Sequence, residues 1–166
     1  MIFSPLPGKV GVDYRLTQCF HSRPEYYIKY GLKEHAGLDF APMKPGQKGI
    51  ILYAPCEGYV KYTDEGKIGF GRYVEIISEG YNREGDRRKV VLAHLEKLLV
   101  PNGSFVAQGD RVAIMGNTGD SSNFHTHLGY KKLDPFGQTV NKNNGNLGNI
   151  DVTSFIRQWT FDVLPC

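Results

Sequence analysis

The stretch "GIILYAPCEGYVKYT", residues 49–63, decides the fold class. Short apolar runs rich in Ile, Leu, Val and Tyr are broken by Ala-Pro-Cys and then by Gly58. Runs of about five to eight such residues, punctuated by glycine turns, read as antiparallel strands. The pattern repeats in "GRYVEIISEG" (71–80), "RKVVLAHL" (88–95), "GSFVAQGDRVAIMGNTG" (103–119) and "HTHLGYK" (125–131). The charged segment "EGYNREGDRRK" (79–89) reads as an exposed hairpin loop. The chain is therefore expected to be mainly β.

Outside this region the patterning is weaker. Residues 1–34 are irregular apart from short strand character around "YRLTQCF" (14–20) and a brief turn or helix over "YYIKYG" (26–31). "NKNNGNLGN" (141–149) is a polar loop, after which Asp151 is placed to N-cap a short C-terminal helix over "VTSFIRQW" (152–159). Twenty glycines, nine prolines, ten tyrosines and nine phenylalanines in 166 residues favour the same turn-rich β reading. That length suits one domain.

The formal net charge of +3 is too small for the basic footprint of a nucleic-acid binder. Cys19, Cys56 and Cys166 are widely spaced and form no CxxC, so they read as reduced thiols, with Cys56 a small buried residue. No run approaches a membrane span, and "MIFSPLPGKVGVDYR" (1–15) shows no basic-then-apolar export signal.

The chemistry concentrates in the histidines. In "NFHTHLGYKK" (123–132), His125 and His127 share one strand face, because successive strand side chains point to opposite sides. In "EHAGLDFAP" (34–42), His35 and Asp39 would lie about 13 Å apart on a straight strand, too far for one metal ion, so the chain must bend between them. Gly37 is the residue that allows it. His94 ends the apolar run in "LAHLEKL" (92–98). Four imidazoles and a carboxylate suit a zinc site with three protein ligands and an open position, leaving two imidazoles for proton transfer. Spacing alone does not say which are ligands. HExxH is absent. His21 belongs to no cluster, alternation turns Glu34 away from His35, and both Glu34 and Glu96 are expected in solvent.

"HAGLDFAP", "LAHL", "GDRVAIMGNTG" and "HTHLGY" resemble, in order, the HxGxD, YxHL, G-D-x-V-x-x-x-G-x-T-G and HxH segments of the M23 peptidases, the lysostaphin-like or LytM zinc endopeptidases of bacterial cell-wall cleavage. The resemblance covers residues 35–130, with a fainter echo of a Q-x-F-G-type segment in "LTQCFHSRPEYY" (16–27). It implies a small antiparallel, barrel-sandwich-like domain with a groove active site. The core would span about residues 35–133, with 1–34 as an N-terminal segment and 134–166 as a C-terminal extension. It further implies one Zn²⁺ held by His35, Asp39 and His127, with His94 and His125 as the catalytic pair. Tyr30, ahead of Tyr27 and Tyr26, is expected to support the transition state. The implied substrate is a peptide stem or cross-bridge of peptidoglycan.

Leu92 stands where many members have tyrosine, and Leu128-Gly129 replace the usual Phe-Glu. Two other functions compete with hydrolysis. A carrier module would share the Gly-Asp-x-Val pattern but needs a lysine at an exposed hairpin tip in a Met-Lys or Asp-Lys context, which is missing here. A regulatory M23-like domain would typically lack several ligand positions, and this chain keeps all five. The expected enzyme is a monomer acting in the periplasm or extracellular wall, either a phage lysin or virion-associated enzyme or an excised domain of a secreted protein.

Overall fold

The computed structural model describes residues 2–78 and 87–159. The chain begins with β1 (Ile2–Phe3) and β2 (Tyr14–Gln18), followed by the single-turn helix α1 (Pro24–Tyr27), which continues as a 3-10 turn (Ile28–Tyr30). Next come β3 (Leu38–Pro42), β4 (Ile51–Tyr53), β5 (Gly58–Asp64), β6 (Arg72–Ile77) and β7 (Arg87–Leu92). β8 (Leu95–Leu98), β9 (Phe105–Val106), β10 (Arg111–Met115), β11 (Thr126–Leu133) and β12 (Ile156–Arg157) complete it.

A seven-stranded sheet, ordered β2-β3-β11-β7-β6-β5-β9, is the main layer, and every pairing within it is antiparallel. Strand alternation gives this sheet two unlike faces. Leu38, Phe40, Val60, Val74, Ile76, Val90, Leu92 and Leu128 point inward and are buried. Each such side chain contributes roughly 1.5–3 kcal/mol when fully withdrawn from water. The three-stranded sheet β4-β10-β8 covers that face, adding Leu52, Ala113, Met115 and Leu95 to one core. The opposite face of the large sheet carries Asp39, His127, Lys131, Lys89, Glu75 and Lys61.

The mainly β reading holds, with its two layers, and the stretch at 49–63 supplies β4 and the start of β5. Residues 26–31 do form a brief helical turn. The expected C-terminal helix is corrected. The Asp151 carboxylate accepts from the Thr153 N–H at 2.9 Å, and the Phe155 and Ile156 amides both reach the Val152 carbonyl, but the turn stops there. Ile156 is instead drawn into the core, and Ile156–Arg157 pairs in parallel with β1. A partner strand from the other end of the chain outweighs a local cap worth about 1 kcal/mol.

A second correction concerns cysteine: Cys19 is disulfide-bonded, whereas Cys56 is a free buried thiol whose pKa burial pushes up to about 11. Pairing depends on which Cβ atoms approach in space, and spacing along the chain does not report that. Cys166 and most of the expected hairpin loop at 79–89 lie outside the described residues. Among the described residues, no helix is long and apolar enough to cross a membrane.

Candidate metal centre

The register of β3 and β11 sets Asp39 directly opposite His127 on the open face of the large sheet. On the other side of β3, a bulge between Leu16 and Gln18 turns Gln18 onto the same face, opposite Asp39. The Gln18 amide Nε2 then donates to Asp39 Oδ2 at 3.0 Å. His35 lies just before β3. Its Nδ1 is 2.9 Å from the Cys19 carbonyl oxygen, which can only accept, so Nδ1 carries the proton and Nε2 is left as a bare lone pair. That Nε2 is 3.1 Å from Asp39 Oδ1 and 3.0 Å from His127 Nδ1, and His127 Nδ1 is 3.0 Å from Asp39 Oδ1.

Three electron-pair donors thus converge within the buried floor of the sheet. Their separations approach the edge of a tetrahedron around an ion with ligand bonds near 2.05 Å, about 3.3 Å. Burial alone would raise the Asp39 carboxyl, but the two imidazoles beside it, His127 and His35, outweigh that and hold the group far below the usual carboxylate range. Burial also lowers His127, against the pull of Asp39. An ionised carboxylate beside a neutral imidazole is the state a metal ion requires. His35, Asp39 and His127 could therefore bind a metal ion.

His35 and Asp39 do meet, but Gly37 acts through space rather than through a left-handed backbone. A Cβ on Gly37 would come within 2.4 Å of His127 Cε1 and of the Leu128 carbonyl oxygen. Gly37→Ala is therefore expected to displace His127. Its cost should be about 1–3 kcal/mol of stability and at least tenfold in metal affinity, read by thermal denaturation and by metal titration.

His94 follows β7 with φ 61°, in the left-handed region, and its Nδ1 donates to the Thr118 carbonyl at 2.9 Å. The "GNTG" end of the 103–119 segment builds that acceptor. Thr118 Oγ1 donates to the Leu95 carbonyl and accepts from the Arg72 amide, and Gly119 (φ 72°) abuts Gly71 so closely that neither can carry a side chain. Burial, aided by repulsion from His125 and His127, pushes the His94 pKa down to about 4, so its ring is neutral at physiological pH. His125 directs Nδ1 to the Asn123 carbonyl at 2.9 Å and sets Nε2 3.7 Å from Asp39 Oδ2. The His94 and His125 rings lie 4.6 Å apart. Both imidazoles keep Nε2 as the proton-accepting nitrogen.

Gln18, Asp39, His94, His125 and His127 line one open cavity of about 550 Å³, while His35 lies beneath it. Tyr26, Tyr27 and Tyr30 form one wall. Tyr27 donates to Gln18 Oε1 at 3.3 Å and its ring lies 5.1 Å from that of His35, while Tyr30 is 38% exposed at the outer rim. Sequence reasoning missed two contributors. Gln18 carried a signal, the faint Q-x-F-type segment, but its aim depends on the bulge. Phe70, whose ring stacks on His127 at 5.3 Å, sits in a hairpin turn with nothing local to mark it. His21 stays outside the cluster and pairs with Glu34 at 2.7 Å. Glu34, expected in solvent, is thereby corrected: hydrogen bonds from Asn146 and then His21 hold it and lower its pKa. Glu96 is exposed as expected.

Residues 33–144 match the model of peptidase family M23, a span containing all five clustered polar residues. The chain is 32% identical over 113 residues to an uncharacterized metalloprotease of Haemophilus influenzae, covering 68% of this chain and 22% of that protein. It is 29% identical over 139 residues to the peptidoglycan DD-endopeptidase ShyA of Vibrio cholerae, covering 83% and 29%. With the murein hydrolase activator NlpD of Escherichia coli it shares 31% identity over 106 residues, covering 63% and 24%. The match thus spans less than a third of each of these relatives. The fold is similar to that of lysostaphin from Staphylococcus simulans, with a TM-score of 0.62 and 20% identity over 92% of this chain and 52% of that one. The family match and the buried His-Asp-His group lead to one assignment: the chain belongs to peptidase family M23.

Proposed function

We propose that the chain is a zinc-dependent endopeptidase that cleaves peptide bonds in the stem or cross-bridge of bacterial peptidoglycan, acting at the cell wall. The observation that carries this reading is the convergence of His35 Nε2, Asp39 Oδ1 and His127 Nδ1 at 3.0–3.1 Å, with two further imidazoles in the same cavity. His35, Asp39 and His127 would hold the zinc ion. When bound there, zinc supplies Lewis acidity, polarising a peptide carbonyl and making water a stronger nucleophile at neutral pH.

The chain's own residues do the rest. His125 Nε2 accepts a proton from the attacking water and returns it to the leaving amine. The Asn123 carbonyl fixes the ring for this transfer by holding Nδ1–H. His94, kept neutral by burial, accepts a hydrogen bond at Nε2 and orients the reacting groups. Tyr30 and Tyr27 offer hydroxyl donors on the cavity wall for charge developing on the carbonyl oxygen.

The test is incubation of the zinc-loaded chain with walls of defined chemistry, with mass spectrometry of what is released. Peptide fragments are expected, lost on treatment with a zinc chelator and regained when zinc is restored. The similarity to an activator supports one alternative, a domain that regulates other wall enzymes. Bound metal without fragments from any wall, together with stimulation of a separate murein hydrolase, would overturn the peptidase reading in its favour.

A further inference from the structure

We infer that the cavity extends beyond the metal centre into an anion subsite built on Lys131, which receives a carboxylate of the bound peptide. This rests on the peptidase reading for the identity of the ligand and on separate residues for the site. Along β11, His127, Gly129 and Lys131 occupy the same face. Gly129 carries no side chain, and the Asn149 side-chain oxygen occupies that space, 3.0 Å from where a Cβ would sit, so a polar floor joins metal ligand to ammonium. Lys131 lines the same cavity as His127 and Asp39.

The charges around Lys131 leave it in want of an anion. Its cross-strand neighbour Lys89 is spent on Glu75 at 2.8 Å, and Glu75 also faces Lys61 at 3.5 Å, so one carboxylate already serves two lysines. Among the described residues, no carboxylate lies within ion-pair distance of Lys131. Burial, with repulsion from Lys89 and Lys142, lowers its pKa, and only Glu75 opposes them. A half-buried ammonium beside two other cations binds an incoming carboxylate more tightly than a solvated lysine does, because less water has to be displaced.

Spacing defines which carboxylate fits. His127 and Lys131 are four residues apart on a strand, about 13 Å between Cα atoms. That distance corresponds to about four extended residues, so the partner carboxylate lies roughly that far along the peptide from the bond cleaved. The substrate class is therefore an acidic peptide with a free carboxylate at that remove, in preference to a neutral bridge.

The experiment compares isolated wall sacculi bearing free carboxylates with the same sacculi after amidation. Binding is read by co-sedimentation and hydrolysis by fragment release. The wild-type chain should bind amidated walls about tenfold more weakly. Lys131→Met should lose about tenfold on native walls and lose nothing further on amidation, Lys131→Arg should retain most binding, and Lys97→Met, on the other sheet, should match wild type. Equal wild-type binding to both walls, or equal losses in the Lys131→Met and Lys97→Met variants, would overturn the inference. Absence of fragments with carboxylate-dependent binding intact would instead count against the peptidase reading alone.

Discussion

His127→Ala is expected to empty the metal centre and take wall hydrolysis with it. The substitution removes Nδ1, one of three donors, and leaves His35 Nε2 and Asp39 Oδ1 as a two-point site with no third ligand from the protein. Metal content by mass spectrometry should fall from one per chain to the level of a blank after dialysis. The loss of hydrolysis should be on the order of 10³-fold or more, since a Lewis acid supplies several kcal/mol and each 1.4 kcal/mol is a factor of ten. The fold should survive, because β3 and β11 stay paired through their backbones and the buried apolar face is untouched. Circular dichroism checks that. Full metal retention in this variant would mean that His127 is not a ligand.

His125→Ala is expected to behave in the opposite manner, keeping the metal and losing the rate. His125 sits one strand repeat from His127, but its Nε2 approaches the second carboxylate oxygen of Asp39 at 3.7 Å, outside the close triangle of donors. Removing a positioned general base typically costs about 10²–10⁴-fold in rate. The decrease should appear in the turnover number on a defined wall fragment, with metal content unchanged. If His125→Ala lost the metal while His127→Ala kept it, the two roles would have to be exchanged. The pair of variants thus separates binding from proton transfer at positions two residues apart.

Much of the fold was legible because strand signals are local. The apolar runs at 49–63, 71–80, 88–95, 103–119 and 125–131 each carry their own alternation and their own glycine stops, and each yields strands. The C-terminal segment was misread because its cap was real but its partner was distant. Asp151 caps one turn, while β1, more than 150 residues earlier, captures Ile156 and Arg157. The disulfide at Cys19 and the aim of Gln18 were hidden for the same reason, since both depend on approach in space.

The mainly β class, the five polar residues gathered in three segments, and the shared face of His125 and His127 are all readable along the covalent chain, because strand alternation is a local property. What each donor faces is set by the packed fold. Register between β3 and β11 brings Asp39 against His127, the Cys19 carbonyl sets the free nitrogen of His35, and the Thr118 carbonyl sets that of His94. Those partners lie from 16 to 88 residues away along the chain, so no local pattern encodes them; the folded core places them and the site follows.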